Sequence, residues 1–259
     1  MLCICGLLCA LPAHALTVEI EAPDEIKTLL TQHLEAARAA RLGEVVGETE
    51  LARLRQRSLE SARELLATEG YFSPRVESAL TYGATETLLR FSVMPGARTQ
   101  VREVQLAFVG ALADAGEAGG RLRARSERQF TLRSGMPFRQ SDWDAAKQAA
   151  LQVLLSSQYS AARMVASEAR IDPDTQSADL SVTLDSGPAF YYGELQIEGA
   201  QRYPQSIIRK LDPTRPGQPY RQQALLDFQV MLEESGYYSR ASVRVEPDPA
   251  RAAAAPIRV

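Results

Sequence analysis

Three similar stretches recur along this chain: Leu65-Leu66-Ala67-Thr68-Glu69-Gly70-Tyr71-Phe72, Leu154-Leu155-Ser156-Ser157-Gln158-Tyr159 and Met231-Leu232-Glu233-Glu234-Ser235-Gly236-Tyr237-Tyr238. In each stretch an apolar helical pattern runs into an aromatic residue, and a strand-like pattern follows. The stretches recur at intervals of about 80 residues, which is longer than solenoid repeats of about 20–50 residues and close to the size of a small domain. The spacing therefore predicts tandem modules, each with its own core.

Composition and charge describe an ordinary folded chain. Apolar residues make up 45% of the sequence and charged residues 24%, both near the average for globular domains. The net charge of -3 excludes the broad basic surface that nucleic-acid binding requires. A local cluster comprises Arg121, Arg123, Arg125 and Arg128. We interpret this cluster as a solvated helix face and expect no nucleic-acid partner.

Residues 1–15 have the pattern of a signal peptide. A short apolar run ends at Pro12, and Ala13-His14-Ala15 provides the small-x-small cleavage site, with Ala13 and Ala15 as the cleavage residues. The run is shorter than the roughly 20 apolar residues of a membrane-spanning helix. It lacks the usual basic residues at its start, which leaves the true start codon open. The pattern predicts export.

Removal of this segment limits the available chemistry. Cys3, Cys5 and Cys9 all lie within it, and His33 is then the only histidine left. A multi-histidine metal site and a Cys/His dyad are thereby excluded, and we expect no enzyme, cofactor or metal. One enzymatic alternative stays open, a periplasmic hydrolase with paired carboxylates, which requires two of them to converge in one pocket.

The periodicity predicts an α+β fold of three β-α-α-β-β modules, each a three-stranded sheet covered by two helices. Their predicted ranges are 16–96, 97–187 and 188–259. In the first module a strand alternates around Val18, a helix runs from Asp24 as N-cap through Ala40, and a second helix begins near Thr49. The apolar stripe predicted for that second helix contains Leu51, Leu54, Ser58, Ala62 and Leu65.

The three modules end their second helix differently. Gly70 suits a left-handed C-terminal stop, after which Tyr71 and Phe72 fold back onto the helix end. Gly236 and Tyr237 occupy the same places in the motif of the third module. The second module has Gln158 before Tyr159, so its helix end is expected to turn less sharply. A hairpin then closes each module, with a turn at Gly83-Ala84 in the first.

A further phrase precedes the second helix of modules two and three. Gly135-Met136-Pro137-Phe138-Arg139-Gln140 recurs as Gly217-Gln218-Pro219-Tyr220-Arg221-Gln222. We interpret Gly135, Pro137 and Phe138, with their counterparts Gly217, Pro219 and Tyr220, as a tight turn with an aromatic plug rather than a ligand site.

The element order, the Gly-x-Pro-aromatic phrase, the Gly-Tyr helix end and the short Pro/Gly junctions resemble POTRA domains, the periplasmic modules that precede the β-barrel of Omp85-type outer-membrane proteins. The first module lacks the Gly-x-Pro-aromatic phrase. The resemblance implies that the native protein continues into a barrel and is inserted in the Gram-negative outer membrane, with this region in the periplasm. The sequence stops at Val259, where the third module forms its last strand, so we expect a truncated strand there.

The resemblance also implies a mode of binding. In POTRA domains the second strand is generally an exposed edge, which accepts an extended segment by β-augmentation. Here these edges lie around 75–80, 163–169 and 239–245, and the candidate binding residues are Val76, Val165, Val243 and Val245. The alternative is that charged side chains merely protect the edges. The implied partners are unfolded outer-membrane and autotransporter clients and a long inner-membrane-anchored protein.

Within the same superfamily two other assignments stay open. The first is the POTRA region of the main barrel-assembly protein, which characteristically has five modules. The second is the POTRA region of a two-partner secretion transporter, which has two. The length and module count of the full gene distinguish them.

Overall fold

A computed structural model describes residues 15–83 and 86–259 of the chain. The predicted signal peptide, including Ala13, lies outside these ranges, as does Ala84 of the predicted turn, whereas Ala15 begins the first strand. Three separate three-stranded sheets with their helices confirm the predicted α+β fold. In the described part of the chain, none of the helices combines the length and apolarity that a membrane span requires.

The described residues divide into two compact units. The first contains the chain up to Gln100 with Pro137–Gln140 and Ile171–Ser177, and the second contains Val101–Met136, Ser141–Arg170 and Ala178–Val259.

The elements of the first module are β1 (Ala15–Glu21), α1 (Asp24–His33), α2 (Glu35–Arg41), α3 (Glu48–Thr68), β2 (Arg75–Tyr82) and β3 (Glu86–Met94). The sheet order is β1-β3-β2, with β1 parallel and β2 antiparallel to the central β3. The long crossover through the helices allows the parallel pairing, and the short turn allows the antiparallel one. The core of the first module is one cluster of buried apolar residues, which includes Leu16, Ile20, Ile26, Leu30, Leu54, Ala62, Leu66, Leu89 and Phe91.

Three details of this module differ from the prediction. The N-cap of α1 is Pro23, and Asp24, the predicted N-cap, is the first residue of the helix. The single helix expected over 24–40 is broken at Leu34, whose extended backbone separates α1 from α2 while its side chain is fully buried. The buried Ser58 hydroxyl accepts a hydrogen bond from the Ala36 N–H at 3.2 Å, which holds the start of α2. The apolar stripe of α3 ends on Leu66 rather than Leu65.

The middle module contains β4 (Gln100–Val109), α4 (Gly116–Gln129), α5 (Gln140–Leu155), β5 (Arg163–Asp172) and β6 (Ser177–Asp185), in the sheet order β4-β6-β5. The predicted stripe of α5 is buried at Trp143, Ala146, Ala150 and Leu154. Phe130 packs edge-on against Trp143 with ring centroids 5.9 Å apart.

The last module contains β7 (Tyr192–Gln196), α6 (Gln205–Leu211), α7 (Gln222–Glu234), β8 (Arg244–Val245), a 3-10 helix (Pro249–Ala254) and β9 (Ala255–Arg258). The sheet order β7-β9-β8 repeats the topology of the other two. A core of its own includes Phe190, Tyr192, Ile208, Leu225, Phe228, Leu232 and Ile257.

Candidate binding edges

In each of the three sheets the second strand of the module, β2, β5 or β8, lies at an edge. The N–H and C=O groups on the outer side of an edge strand have no partner strand. They are therefore the groups of this fold that can form hydrogen bonds with an added strand. The three edges differ in how much backbone they leave open.

The β2 edge is partly covered by two arginines of α3. Arg55 donates to the Ser78 carbonyl at 2.9 Å and to the Ser78 hydroxyl at 2.7 Å. Arg63 donates to the Val76 carbonyl at 3.4 Å. The Val76 side chain itself is buried in the core. Since both carbonyls already accept hydrogen bonds, an incoming strand has to displace these arginines.

The β5 edge is open. Val165 is 48% exposed. From Met164 to Ala169, no side chain of another element hydrogen-bonds the backbone within the described part of the chain. The reason lies in α5, which carries Lys147 as its only basic residue, and Lys147 pairs with Asp144 at 2.8 Å. The charged residues near the strand ends are engaged locally, Arg163 with Asp185 and Arg170 with Glu168.

The β8 edge is shorter than predicted. We expected a strand over 239–245, but only Arg244–Val245 pairs with β9, so this prediction is wrong for residues 239–243. Val243 is buried in the core and is not an exposed edge residue. The Ala241 N–H instead donates to the Glu233 carboxylate of α7 at 3.1 Å, which holds this segment against the helix.

Gly70 lies where two predicted motifs meet. Its φ is +89°, and a Cβ there would fall 2.1 Å from the Phe138 carbonyl oxygen. The Gly70 carbonyl accepts a hydrogen bond from the Thr99 N–H at 2.9 Å, and the rings of Phe72 and Phe138 lie 5.8 Å apart. Gly70 therefore permits a close backbone contact that no other residue allows.

The helix ends of the other modules follow the predicted difference. Gln158 does not have a positive φ, and its carbonyl accepts a hydrogen bond from the Phe190 N–H at 2.7 Å. Tyr159 is buried. Gly236 has a φ of +75°, and the exposed Tyr237 packs edge-on against Tyr203 at 5.3 Å.

The two Gly-x-Pro-aromatic phrases occupy equivalent places. Gly135 and Gly217 have φ of +84° and +81°. Pro137 forms a bridge with Gln100 and Pro219 with Tyr191, beside the first strand of each module. The aromatic side chains of Phe138 and Tyr220 are buried.

Sequence reasoning missed an ion cluster around Glu69. Arg98 donates to its carboxylate at 2.9 Å, and the Arg139 Nε lies 3.3 Å from the same carboxylate. The Arg98 guanidinium also lies over the Tyr71 ring, 5.1 Å from its centroid. A cavity of about 260 Å³ adjoins the cluster. The only sequence signal was that Arg139 and Arg221 share one position of the repeated phrase.

Among the described residues, the surroundings shift the pKa of Asp185, Tyr192 and Tyr220. A hydrogen bond from the Gly187 N–H lowers the pKa of Asp185, and the Arg163 guanidinium acts in the same direction. Burial raises the pKa of Tyr192 and of Tyr220. The Tyr192 hydroxyl donates to the Arg221 carbonyl and accepts from the Arg221 N–H, each at 2.9 Å, so this tyrosine fixes the start of α7.

Acidic side chains do not form a catalytic pair in any site described above. Among the described residues, no group of three or more His, Cys, Asp or Glu side chains is placed to hold a metal ion. Glu103, Glu168 and Asp179 line one shallow depression on the middle sheet, but Arg102 pairs with Asp179 and Arg170 with Glu168. This is an ion-paired sheet surface.

Comparisons with known proteins agree with this architecture. Residues 190–255 match the family model of the POTRA domain, described as a surface antigen variable number repeat. The third to fifth POTRA domains of BamA from Haemophilus influenzae are similar over 95% of this chain and 94% of that chain, with 17% identity and a TM-score of 0.51. This chain has the fold of tandem POTRA domains.

Two more solved structures align at lower TM-scores. The alignment with the N-terminal domain of Omp85 from the cyanobacterium Thermosynechococcus elongatus covers 96% of this chain and 96% of that chain, with 17% identity and a TM-score of 0.34. POTRA domains one to three of Omp85 from Anabaena cover 95% of this chain and 92% of that chain, with 11% identity and a TM-score of 0.34. A sequence search of curated proteins returns no match.

Proposed function

We propose that this chain is the periplasmic POTRA region of an Omp85-superfamily outer-membrane protein that assembles or translocates other proteins. It acts without catalysis, as a scaffold that holds extended client segments by β-augmentation. The observation that carries this proposal is the open β5 edge, whose ten-residue strand presents unpaired backbone beside an exposed Val165.

Backbone pairing suits such a role physically. An added strand forms main-chain hydrogen bonds that do not depend on its side chains, so one edge serves many client sequences. The arginine-covered β2 and the two-residue β8 offer less free backbone than β5. The middle module is therefore the principal binding module in this proposal.

Within the superfamily we place the chain with TamA, the outer-membrane subunit of the translocation and assembly module. Support comes from three modules behind a signal-peptide-like segment, from Leu16-Thr17-Val18-Glu19-Ile20 and from Gly70-Tyr71-Phe72-Ser73-Pro74. Its clients are then unfolded outer-membrane proteins, autotransporters among them, and its partner is a TamB-like protein anchored in the inner membrane.

The alternative is the POTRA region of another Omp85 member, either the barrel-assembly protein or a two-partner secretion transporter. The similarity in fold to the BamA domains is compatible with this assignment. Sequencing the gene beyond Val259 separates the candidates, because TamA predicts three modules followed by a barrel.

Site-specific crosslinking tests the scaffold role. A photoreactive amino acid replaces Val165 on the open edge, and in a matched variant it replaces Ser92 in the central strand β3. In cells that export an outer-membrane protein, Val165 is expected to crosslink to the nascent client and Ser92 is not. Equal crosslinking at both positions, or none at Val165, contradicts the proposal.

A further inference from the structure

In the first module the chain leaves the central strand and returns to the end of its own helix. Thr99 lies five residues after Met94, the last residue of β3, and its N–H donates to the Gly70 carbonyl just after α3 at 2.9 Å. The Thr99 carbonyl in turn accepts a hydrogen bond from the Phe138 N–H at 2.8 Å. Thr99 is 1% exposed, so this main-chain connection is shielded from water.

The middle module repeats this arrangement. Phe190 lies five residues after Asp185, the last residue of β6, and its N–H donates to the Gln158 carbonyl in the turn after α5 at 2.7 Å. The Phe190 carbonyl accepts a hydrogen bond from the Tyr220 N–H at 2.9 Å, and the Phe190 side chain is fully buried. Because Thr99 and Phe190 have unlike side chains, the arrangement depends on main-chain groups.

Sheet topology accounts for the recurrence and extends it to the third module. Arg75, the first residue of β2, pairs with Met94, so the exit from β3 lies beside the segment that joins α3 to β2. The strand β9 is likewise the central one of its sheet and pairs antiparallel with β8, Arg258 with Arg244. Beyond Arg258 the strand direction therefore runs toward the segment that joins α7 to β8.

The carbonyl at the equivalent place in that segment is open. Gly236 precedes Tyr237 as Gly70 precedes Tyr71, and the two glycines have φ of +75° and +89°. Within the described residues no group donates a hydrogen bond to the Gly236 carbonyl. A Cβ on Gly236 would meet nothing within 4 Å, whereas one on Gly70 would meet the Phe138 carbonyl oxygen. The carbonyls that end a helix need a partner outside the helix, and here the place of that partner is free.

The tyrosine beside this carbonyl is also uncovered. Tyr237 is 48% exposed, although it packs edge-on against Tyr203. In the first module the guanidinium of Arg98, the residue before Thr99, lies over the Tyr71 ring. The segment that returns from β3 thus covers its tyrosine, and the third module shows the same surface without a cover.

We propose that the end of α7, formed by Gly236 and Tyr237, is the docking site for the segment of the protein that follows β9. An N–H of that segment donates to the Gly236 carbonyl, and its side chains cover Tyr237. The occupant is a segment of the same chain because the exit from β9 is directed to this site by the sheet itself. The inference goes beyond client binding and rests on the proposed function only in that a further domain follows β9.

Hydroxyl-radical footprinting with mass spectrometry tests this inference. The full-length protein, purified in detergent, is compared with the chain that ends at Val259. Labelling is followed at Tyr237 and, as a control, at Tyr82, which is 62% exposed in the first module. In the full-length protein we expect labelling of Tyr237 to fall to that of the half-buried Tyr71 or lower, and labelling of Tyr82 to stay the same. Equal labelling of Tyr237 in the two chains, or a gene that ends at Val259, overturns the inference.

Two alanine variants of the full-length protein test the backbone contact. G236A places a Cβ where the docked segment lies. G199A is the matched control in the same module, since Gly199 has a φ of +74° and a Cβ there meets nothing within 4 Å. We expect G236A to raise labelling of Tyr237 toward that of the chain ending at Val259, and G199A to leave Tyr237 protected. Equal labelling of Tyr237 in the two variants overturns the inference.

The remaining outcomes separate this inference from its alternatives. Protection of Tyr237 that depends on protein concentration assigns the site to a second copy of the chain and overturns the inference. Failed client crosslinking at Val165 with Tyr237 protected refutes only the proposed function. Successful crosslinking at Val165 with Tyr237 labelled equally in both chains refutes only this inference.

Discussion

Gly70 and Phe138 are in direct backbone contact, since a Cβ on Gly70 would lie 2.1 Å from the Phe138 carbonyl oxygen. This contact joins the end of α3 to the Gly-x-Pro-aromatic phrase, and the Thr99 N–H strengthens it by donating to the Gly70 carbonyl. Two motifs far apart in sequence thereby become one structural feature.

Replacement of Gly70 by alanine is expected to lower the free energy of unfolding by about 2 kcal/mol or more, because the left-handed backbone penalty adds to the displaced carbonyl. Gly236 provides the matched control, since its φ is +75° but a Cβ there meets nothing within 4 Å. G236A is expected to lower it by only about 1 kcal/mol. Urea unfolding of both variants measures the difference. Equal losses would show that the contact with Phe138 contributes nothing.

Removal of the arginine cover is expected to open the β2 edge. In a variant with both Arg55→Ala and Arg63→Ala, the carbonyls of Ser78 and Val76 lose their donors. Crosslinking to unfolded client from a photoreactive residue at Glu77 should then increase. Arg57→Ala is the control, because Arg57 pairs with Glu35 and Glu50 instead. An unchanged yield would mean that arginine cover does not regulate this edge.

Proline substitutions test backbone pairing at β5. Ala166→Pro and Ser167→Pro are made singly, since neighbouring N–H groups alternate between β6 and the open side. One variant breaks the ladder and lowers the melting temperature. The other removes an outward N–H, and we expect it to keep its stability and lose client binding. If the stable variant still binds client with unchanged affinity, β5 is not the pairing strand.

Asp185 is expected to make stability depend on acid. The hydrogen bond from the Gly187 N–H lowers its pKa in the folded chain below the usual value of 3.8. Its contribution is therefore complete well above pH 3.8 and disappears as the pH falls through the folded pKa. The difference in free energy of unfolding between the natural chain and Asp185→Asn should be constant near neutral pH and shrink below that value. A difference that grows with acidification would contradict this assignment.

The sequence predicted the module order because each module repeats strong local signals: alternating strands, amphipathic helices, and glycine or an aromatic residue at fixed places. It failed where tertiary contacts override local preference. The run around Leu34 favours a continuous helix, but burial of Leu34 and the Ser58 hydrogen bond break it. The apolar alternation of 241–245 predicts a strand, yet Glu233 and the core hold Ala241 and Val243 elsewhere.

Only part of the candidate binding site could be predicted from the sequence. Strand order identifies the edges, but the cover on β2 depends on where Arg55 and Arg63 of α3 reach, and no local pattern encodes that.

Hydrogen exchange at β5 measures directly whether this strand pairs with the backbone of a client. The chain is incubated with a urea-diluted, unfolded outer-membrane β-barrel protein, and amide exchange from Met164 to Ala169 is followed by mass spectrometry. Backbone pairing predicts slower exchange in this strand, and no such slowing with an already folded client. Unchanged exchange across β5 while the client is demonstrably bound would exclude β-augmentation at this edge.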